Sequence, residues 1–502
     1  MKRQIGGYTL FLGCALILLC LNGCDKQAPS LEKKSFAEPT DSQAENTTTL
    51  PHLTFQSPRK FEPSPQVSDK DHSKTDYALE WNRFTLAQDY LHFGRTNTLW
   101  DSHVRSALES YAQLRASRAR SNGSSPLIDS LTNEVIAAIA LGCDDPLVKY
   151  LHARFVLPGK GATSDSKRAR AYIEASDVME RTLYSPVRKL YVSLRAAEEL
   201  KLTVTNVPLK LNLLRRLSIH HFNEALHDEM MPPPEAADLA RQLWLMAELN
   251  RSARNEIEHV VVPTLTNLWT GYSFSHLMIG ELHIKKAWDL RGNSLASQVT
   301  EAGAKGFEEN LDLSEKSLRQ AWDLDHNNTA IPVAMITVCM GQGYDRNEME
   351  RWFDRAMIID PSCYDAVQFK ALYLEPKWEG SALEMVEFGR RCVSSTEWKG
   401  RIPLMLNYTH ETLCSYLPRE QQASYWQDPV VWKDVSSSFE KFFDLNPAST
   451  GYRHNYAKAA YRSHKYKLFL EQVELFGEST NYSYFGGRQN FEEMLKTARS
   501  KH

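Results

Sequence analysis

Apolar residues recur every three to four positions along most of this chain, and the strict alternation of a half-buried strand is scarce, so helix is expected almost throughout. The first strong face starts near Asp76, where Tyr77, Trp81, Phe84, Leu86, Tyr90, Leu91 and Phe93 supply an aromatic-rich stripe. Further helices fit residues 102–118, 127–141, 166–182, 186–200, 209–229 and 234–249. Glycine and proline break the pattern between Arg118 and Pro126, and Pro232-Pro233-Pro234 separates the last two helices. Pro234 can open a helix because the N–H it lacks has no partner in a first turn. Two short β-prone stretches stand out. Leu202-Thr203-Val204-Thr205 is expected as an extended connector, and Val260-Val261-Val262-Pro263 as a helix start or a loop. Glycine, at 23 of 502 residues, is sparse enough to support the helical reading.

Beyond Thr266 the pattern repeats. Ala287-Trp288-Asp289-Leu290, Ala321-Trp322-Asp323-Leu324-Asp325 and Ala356-Met357-Ile358-Ile359-Asp360-Pro361 end their stretches alike, with alanines 34 and 35 residues apart. That period predicts stacked helix pairs, each burying its apolar face against the next. Met349, Phe353, Ala356 and Pro361 fit the second helix of a tetratricopeptide-like unit: Phe353 fills the core between repeats, Ala356 admits a close neighbour and Pro361 ends the helix. Leu318 and Ala321 hold the equivalent places one unit earlier. A last, divergent repeat is expected around Phe443-Asp444-Leu445-Asn446-Pro447 and the helices 456–466 and 466–476. The expected fold is all-α, an irregular tetratricopeptide-like helical-repeat solenoid, with an N-terminal helical region at 76–265 and the repeat region at 266–502.

Lys2 and Arg3 precede an apolar run from Tyr8 to Leu21, too short for a stable membrane span but suited to a signal peptide core. The run ends at Leu21-Asn22-Gly23-Cys24, which resembles the lipobox of bacterial lipoproteins. The resemblance implies cleavage before Cys24 and its acylation, leaving residues 1–24 as a signal and lipidation unit. Asp25 resembles the inner-membrane retention signal of enteric bacteria. The same pattern also fits an uncleaved anchor, or cleavage near Gly23 without lipid. Residues 25–75 are rich in Ser, Thr, Pro, Gln and Asn and cannot bury enough surface to offset ordering, so a flexible tether of about 50 residues is expected, with a coil dimension of about 40 Å. The expected location is the bacterial envelope, anchored by lipid and facing the periplasm or the exterior.

Net charge is −3, which gives no bulk field favouring nucleic acid or anionic lipid, and no nucleic-acid partner is expected. Cys143, Cys339, Cys363, Cys392 and Cys414 lie in the body, widely spaced and odd in number. Buried thiols are the expectation, with a Cys339–Cys363 disulfide as the alternative.

Five phrases resemble the bacterial family catalogued as domain of unknown function 4034, itself tetratricopeptide-like: Gly142-Cys143-Asp144-Asp145-Pro146-Leu147-Val148, Val299-Thr300-Glu301, Gly306-Phe307-Glu308-Glu309, Trp352-Phe353-Asp354-Arg355-Ala356, and Tyr373-Leu374-Glu375-Pro376-Lys377-Trp378-Glu379-Gly380-Ser381. The resemblance runs from about Leu131 to Cys392 and implies a fold, with no catalytic residue to carry over.

Candidate chemistry is limited. His220, Glu224 and His227 are spaced to share one face of the 209–229 helix, where imidazoles and a carboxylate could hold a divalent ion, although the H-E-x-x-H register is absent and a stripe turning into solvated surface fits as well. Leu157-Pro158-Gly159-Lys160-Gly161-Ala162-Thr163-Ser164 has glycines and a lysine but neither the spacing nor the strand of a phosphate loop, and is expected as a turn. Glu375, Lys377 and Trp378 either close the joint between two repeats or form a pocket for a ligand. Among the 11 tryptophans, Trp322 and Trp352 are candidate partner contacts wherever they reach the surface. No cofactor is implied. The expected role is a membrane-tethered scaffold that binds a protein or peptide through a helical-repeat surface; the alternatives are an envelope enzyme with a site in the helical groove and a structural subunit of an envelope assembly.

Overall fold

The computed structural model describes residues 74–116, 126–157, 162–203, 208–292, 298–344, 346–378 and 380–501, and all regular structure among them is helical. Cys24 and the expected tether up to residue 73 lie outside the described residues, as do 118–125, Pro158 to Gly161, Val204 and Thr205. The chain divides into two compact units, Met1–Lys285 with Arg291–Thr300, and Lys286–Leu290 with Glu301–His502.

The first unit carries α1 (Lys74–Phe93), α2 (Asp101–Ala116), α3 (Pro126–Ala140), α4 (Pro146–Leu151), α5 (Ala162–Met179), α6 (Pro186–Thr203), α7 (Pro208–Ala225), α8 (Pro233–Ala247), α9 (Arg251–Glu256), α10 (Val262–Leu268) and most of α11 (Ser273–Arg291). Sequence neighbours pack together from α1 through α9. The chain leaves α3 through Gly142, held at φ +93, where the Cys143 N–H bonds back to the Ala138 carbonyl; only glycine takes that left-handed position without strain. The Val260–Pro263 stretch resolves as a helix start: a π-turn at Ile257–Val261 leads into α10 with Pro263 in its first turn. Leu202 and Thr203, expected in an extended connector, instead finish α6. One contact joins helices far apart in this order. α1 packs on α8, with the Tyr77 hydroxyl donating to the Met230 carbonyl at 2.8 Å and the Trp81 indole N–H to Asp228 at 3.3 Å, so this unit closes on itself.

The second unit continues with α12 (Glu301–Leu324), α13 (Ala330–Gln342), α14 (Arg346–Ile359), α15 (Tyr364–Tyr373), α16 (Ala382–Ser394), α17 (Met405–Ser415), α18 (Arg419–Gln427), α19 (Pro429–Leu445), α20 (Gly451–Arg462), α21 (Tyr466–Phe476) and α22 (Arg488–Lys501). Here the repeat is plain. α13 packs on α14 within a pair and on α15 in the next, and α15 in turn meets α17. Ala287, Ala321 and Ala356 are all fully buried, as the period requires. The turns after the last two correspond as well: Asp325 and Asp360 each bond their N–H to that alanine's carbonyl at 3.0 Å, and their carboxylates accept from the N–H two residues on, Asn327 at 2.9 Å and Ser362 at 2.8 Å. α13 is apolar on every face and buried from Ile331 to Met340 except at Val333, so it serves as the axis of this unit. All five body cysteines are free thiols, four of them buried.

Candidate binding surfaces

The three metal-candidate side chains do not converge. α7 ends at Ala225, so His227 has left the helix and the shared stripe, and its Nδ1 bonds the Asn223 carbonyl at 2.8 Å. His220 faces Glu256 at 3.0 Å, and Glu224 turns to His221, whose Nδ1 lies 3.3 Å away. Among the described residues no group of three or more His, Cys, Asp or Glu side chains is arranged to hold a metal ion. The histidine of consequence on α7 is the next one. His221 is buried, with Nε2 2.8 Å from Glu180, and although burial lowers its pKa, the two carboxylates outweigh that and raise it.

Trp322 and Trp352 are brought together. They sit near the end of α12 and midway along α14, with ring centroids 5.6 Å apart and planes nearly perpendicular, a favourable edge-to-face contact. The Arg355 guanidinium lies 4.1 Å from the Trp352 centroid and 5.1 Å from that of Trp322, and Arg319 lies 5.7 Å from Trp352. His326 packs nearly perpendicular to Trp322 at 4.8 Å, so five side chains form a ladder. Trp352 is buried and donates its indole N–H to Glu348 at 2.9 Å, whereas Trp322 and Arg355 are half-buried.

Glu375, Lys377 and Trp378 also share one place, the tight turn after α15, closed by the Trp378 N–H on the Glu375 carbonyl at 2.8 Å. The Glu375 side chain is 1% exposed; its Oε2 takes the Lys377 ammonium at 2.9 Å and the Tyr416 hydroxyl. Burial and that carboxylate raise the Tyr416 pKa, which keeps the phenol protonated and donating. Trp378 packs perpendicular to Trp288 at 5.7 Å, and Trp288 to Phe307 at 4.9 Å, so the turn is anchored by edge-to-face aromatic contacts. The chain then re-enters helix through Ser381, whose hydroxyl accepts from the Glu384 N–H while donating to that residue's carboxylate. This part of the phrase works as a joint between repeats.

Two polar clusters escape sequence reasoning. His410 on α17 is buried, its Nδ1 2.8 Å from the Tyr425 hydroxyl and its Nε2 3.2 Å from Asp434, which Arg390 grips with two nitrogens. Burial lowers the His410 pKa, so the neutral ring accepts from Tyr425 and donates to Asp434. The available signal was a charge in an apolar register: Asp434 stands among Val431, Val435, Ser438, Phe439 and Phe442. In the first unit Arg188, fully buried, donates to Asp89 at 2.9 Å, and Arg115 pairs with Glu235, which also accepts the Tyr191 hydroxyl at 2.5 Å. Arg115 and Arg188 lie 4.3 and 5.1 Å from the Tyr191 centroid, so one ring contacts two paired guanidiniums.

No family model matches the chain, and no curated protein matches it. Among solved structures it is similar to the human IFIT1 dimer with m7Gppp-AAAA, at 9% identity and a TM-score of 0.33, covering 82% of this chain and 97% of that one. A likeness at that level carries neither a family nor a function across.

Proposed function

We propose that this protein is a lipid-anchored helical-repeat scaffold of a bacterial envelope, which docks another protein or a peptide on its repeat surface. One observation carries the docking part: Trp322 on α12 and Arg355 on α14 lie side by side, the guanidinium 5.1 Å from the ring centroid, both half-buried and open to a partner, where a packed core would have hidden them. Trp and Arg are the side chains that most often dominate binding energy, because each offers a large flat contact with directed donors. The anchoring part is supported by the ordered run of Lys2, Arg3, the apolar segment and Cys24. One acyl chain holds a protein only marginally, so a diacylated Cys24 is the form that gives stable tethering. The five phrases that resemble domain of unknown function 4034 fit the scaffold reading without adding a catalytic role.

Two measurements test the two halves. Labelled palmitate should enter the wild-type chain and not Cys24→Ser; equal labelling refutes the anchor. Native capture with the detergent-solubilised full chain should recover one partner reproducibly; recovery of a small metabolite instead, with no macromolecule, refutes the scaffold.

A further inference from the structure

The ladder of Trp322, Trp352, Arg319, Arg355 and His326 has an uneven supply of donors and acceptors. The carboxylate that joins its arginine and tryptophan, Glu348, is fully used: Arg319 reaches it at 3.1 Å, the Trp352 indole at 2.9 Å, and Arg351 bonds it as well. Arg319 also bonds Glu315 at 2.7 Å. Arg355 has no such partner. Among the described residues it makes two ring contacts and no ion pair, and the Trp322 indole N–H beside it has no acceptor. Asp323 and Asp354 sit one residue along from Trp322 and Arg355, and adjacent residues of a helix point to different faces, so neither closes the gap. What remains at the surface is a guanidinium held against two indoles, 4.1 and 5.1 Å from their centroids, with no carboxylate paired to it. Stacking holds the fork in place in advance, which lowers the ordering cost of using it.

We propose that this ladder is a docking site for a carboxylate carried on an acidic peptide segment of the partner. A side-chain carboxylate offers two acceptor oxygens to the Arg355 fork, and a third lone pair can take the Trp322 N–H. Trp322 is also a large apolar ring that is only half-buried, so the acidic residue is best flanked by an apolar one. The proposal rests on the scaffold reading above and names the chemistry of what the scaffold takes.

A display library of random twelve-residue peptides, screened on the full chain and on Arg355→Gln, separates the outcomes. Acidic peptides should be enriched on the wild type, and the best of them should bind Arg355→Gln at least tenfold more weakly and lose affinity when its acidic residue becomes Gln or Asn. Arg355→Lys, which keeps the charge and loses the fork, should fall between. Circular dichroism melts of each variant establish that the fold is intact. Enrichment of neutral or basic peptides, or acidic enrichment unchanged in Arg355→Gln, overturns this inference and leaves the scaffold intact. No enriched peptide of any kind overturns this inference, while the scaffold reading stands or falls on native capture. Displacement of a bound acidic peptide by single-stranded RNA at lower concentration than by a second acidic peptide assigns the ladder to nucleic acid and overturns the inference. Inorganic phosphate competing as well as the peptide identifies a plain anion site and likewise overturns it.

Discussion

Asp145 is the side chain whose loss should do most local damage in the first unit. It is fully buried just before α4 and accepts four hydrogen bonds from three separate segments: the Leu147 and Val148 N–H groups at 2.8 and 3.3 Å, the Arg95 N–H at 2.9 Å, and the Tyr184 hydroxyl at 3.0 Å. Asp145→Ala removes an N-cap, about 1 kcal/mol, and orphans the Arg95 and Tyr184 donors, each costing about 1–3 kcal/mol when left buried. Contacts sharing one carboxylate are not additive, so the expected net loss is about 3–5 kcal/mol. Asp145→Asn is the sharper test. Its carboxamide oxygen can still cap α4, but its NH2 would face the Arg95 N–H, so about half the loss should remain. A chain of two compact units is ill suited to a single unfolding transition, so amide exchange is the better assay. In the alanine variant the amides of residues 93–96 and 146–150 should exchange at least about a hundredfold faster, since every 1.4 kcal/mol of opening energy is about tenfold. An alanine variant costing under about 1 kcal/mol, or an asparagine variant as damaging as alanine, refutes the reasoning.

Three further outcomes follow from the same structure. A Cβ added at Gly389 on α16 would stand 2.8 Å from Leu406 Cδ1 and 3.0 Å from its Cα, so Gly389→Ala should lower the thermal midpoint by the equivalent of about 1–2 kcal/mol, whereas Gly451→Ala, with nothing within 4 Å, should be neutral or stabilising by about 0.5 kcal/mol. Arg188→Met strands the Asp89 carboxylate in the core and should cost about 3–5 kcal/mol in urea denaturation, with Asp89→Asn added to it restoring part of the loss; no recovery would show that the ion pair is not the cause. The raised His221 pKa contributes stability that is fully present below the ordinary value of 6.5 and is lost as pH rises through the folded-state value. The stability gap between wild type and His221→Gln should therefore shrink from pH 5.5 to 8.5, and a constant or widening gap contradicts the assignment.

Helices were legible because their signal is local. A stripe such as Val135 and Ala138, or Met349, Phe353 and Ala356, needs only the 3.6-residue period to be read, and the repeat could be found from small residues because only they fit where two helices come closest. The buried ions were not legible. Asp89 meets Arg188 across 99 positions and Arg115 meets Glu235 across 120, and each, taken alone, has the look of an ordinary surface charge. His227 was misplaced for a smaller reason: two residues beyond Ala225 suffice to carry a side chain off a helical stripe, and helix ends are the least certain feature of a sequence pattern. Trp322 and Trp352 were visible as aromatics but not as a pair, since one follows its repeat alanine directly and the other precedes its own by four residues.

That mismatch in register is itself informative. Positions that build the repeat recur from unit to unit: Ala321 with Ala356, Leu318 with Phe353, Asp325 with Asp360. If packing between repeats demanded the ladder, its members would recur too. Trp322 alone does, as Trp288 one unit earlier. Its partners do not: one unit before Trp352 and Arg355 stand Ser317 and Gln320. The neighbouring unit is built without the stacked guanidinium, so the architecture does not require it. A half-buried tryptophan beside an unpaired, pre-ordered guanidinium adds desolvation and ordering costs that a solvated glutamine would avoid, and a partner's carboxylate supplies the interaction that offsets them. Arg355→Gln, which restores the residue type of the preceding unit, should accordingly leave the thermal midpoint within a few degrees of wild type, because an exposed cation–π contact contributes only about 0.5–1 kcal/mol. A collapse of the fold in that variant would place Arg355 among the packing residues and remove the reason to assign it to a partner.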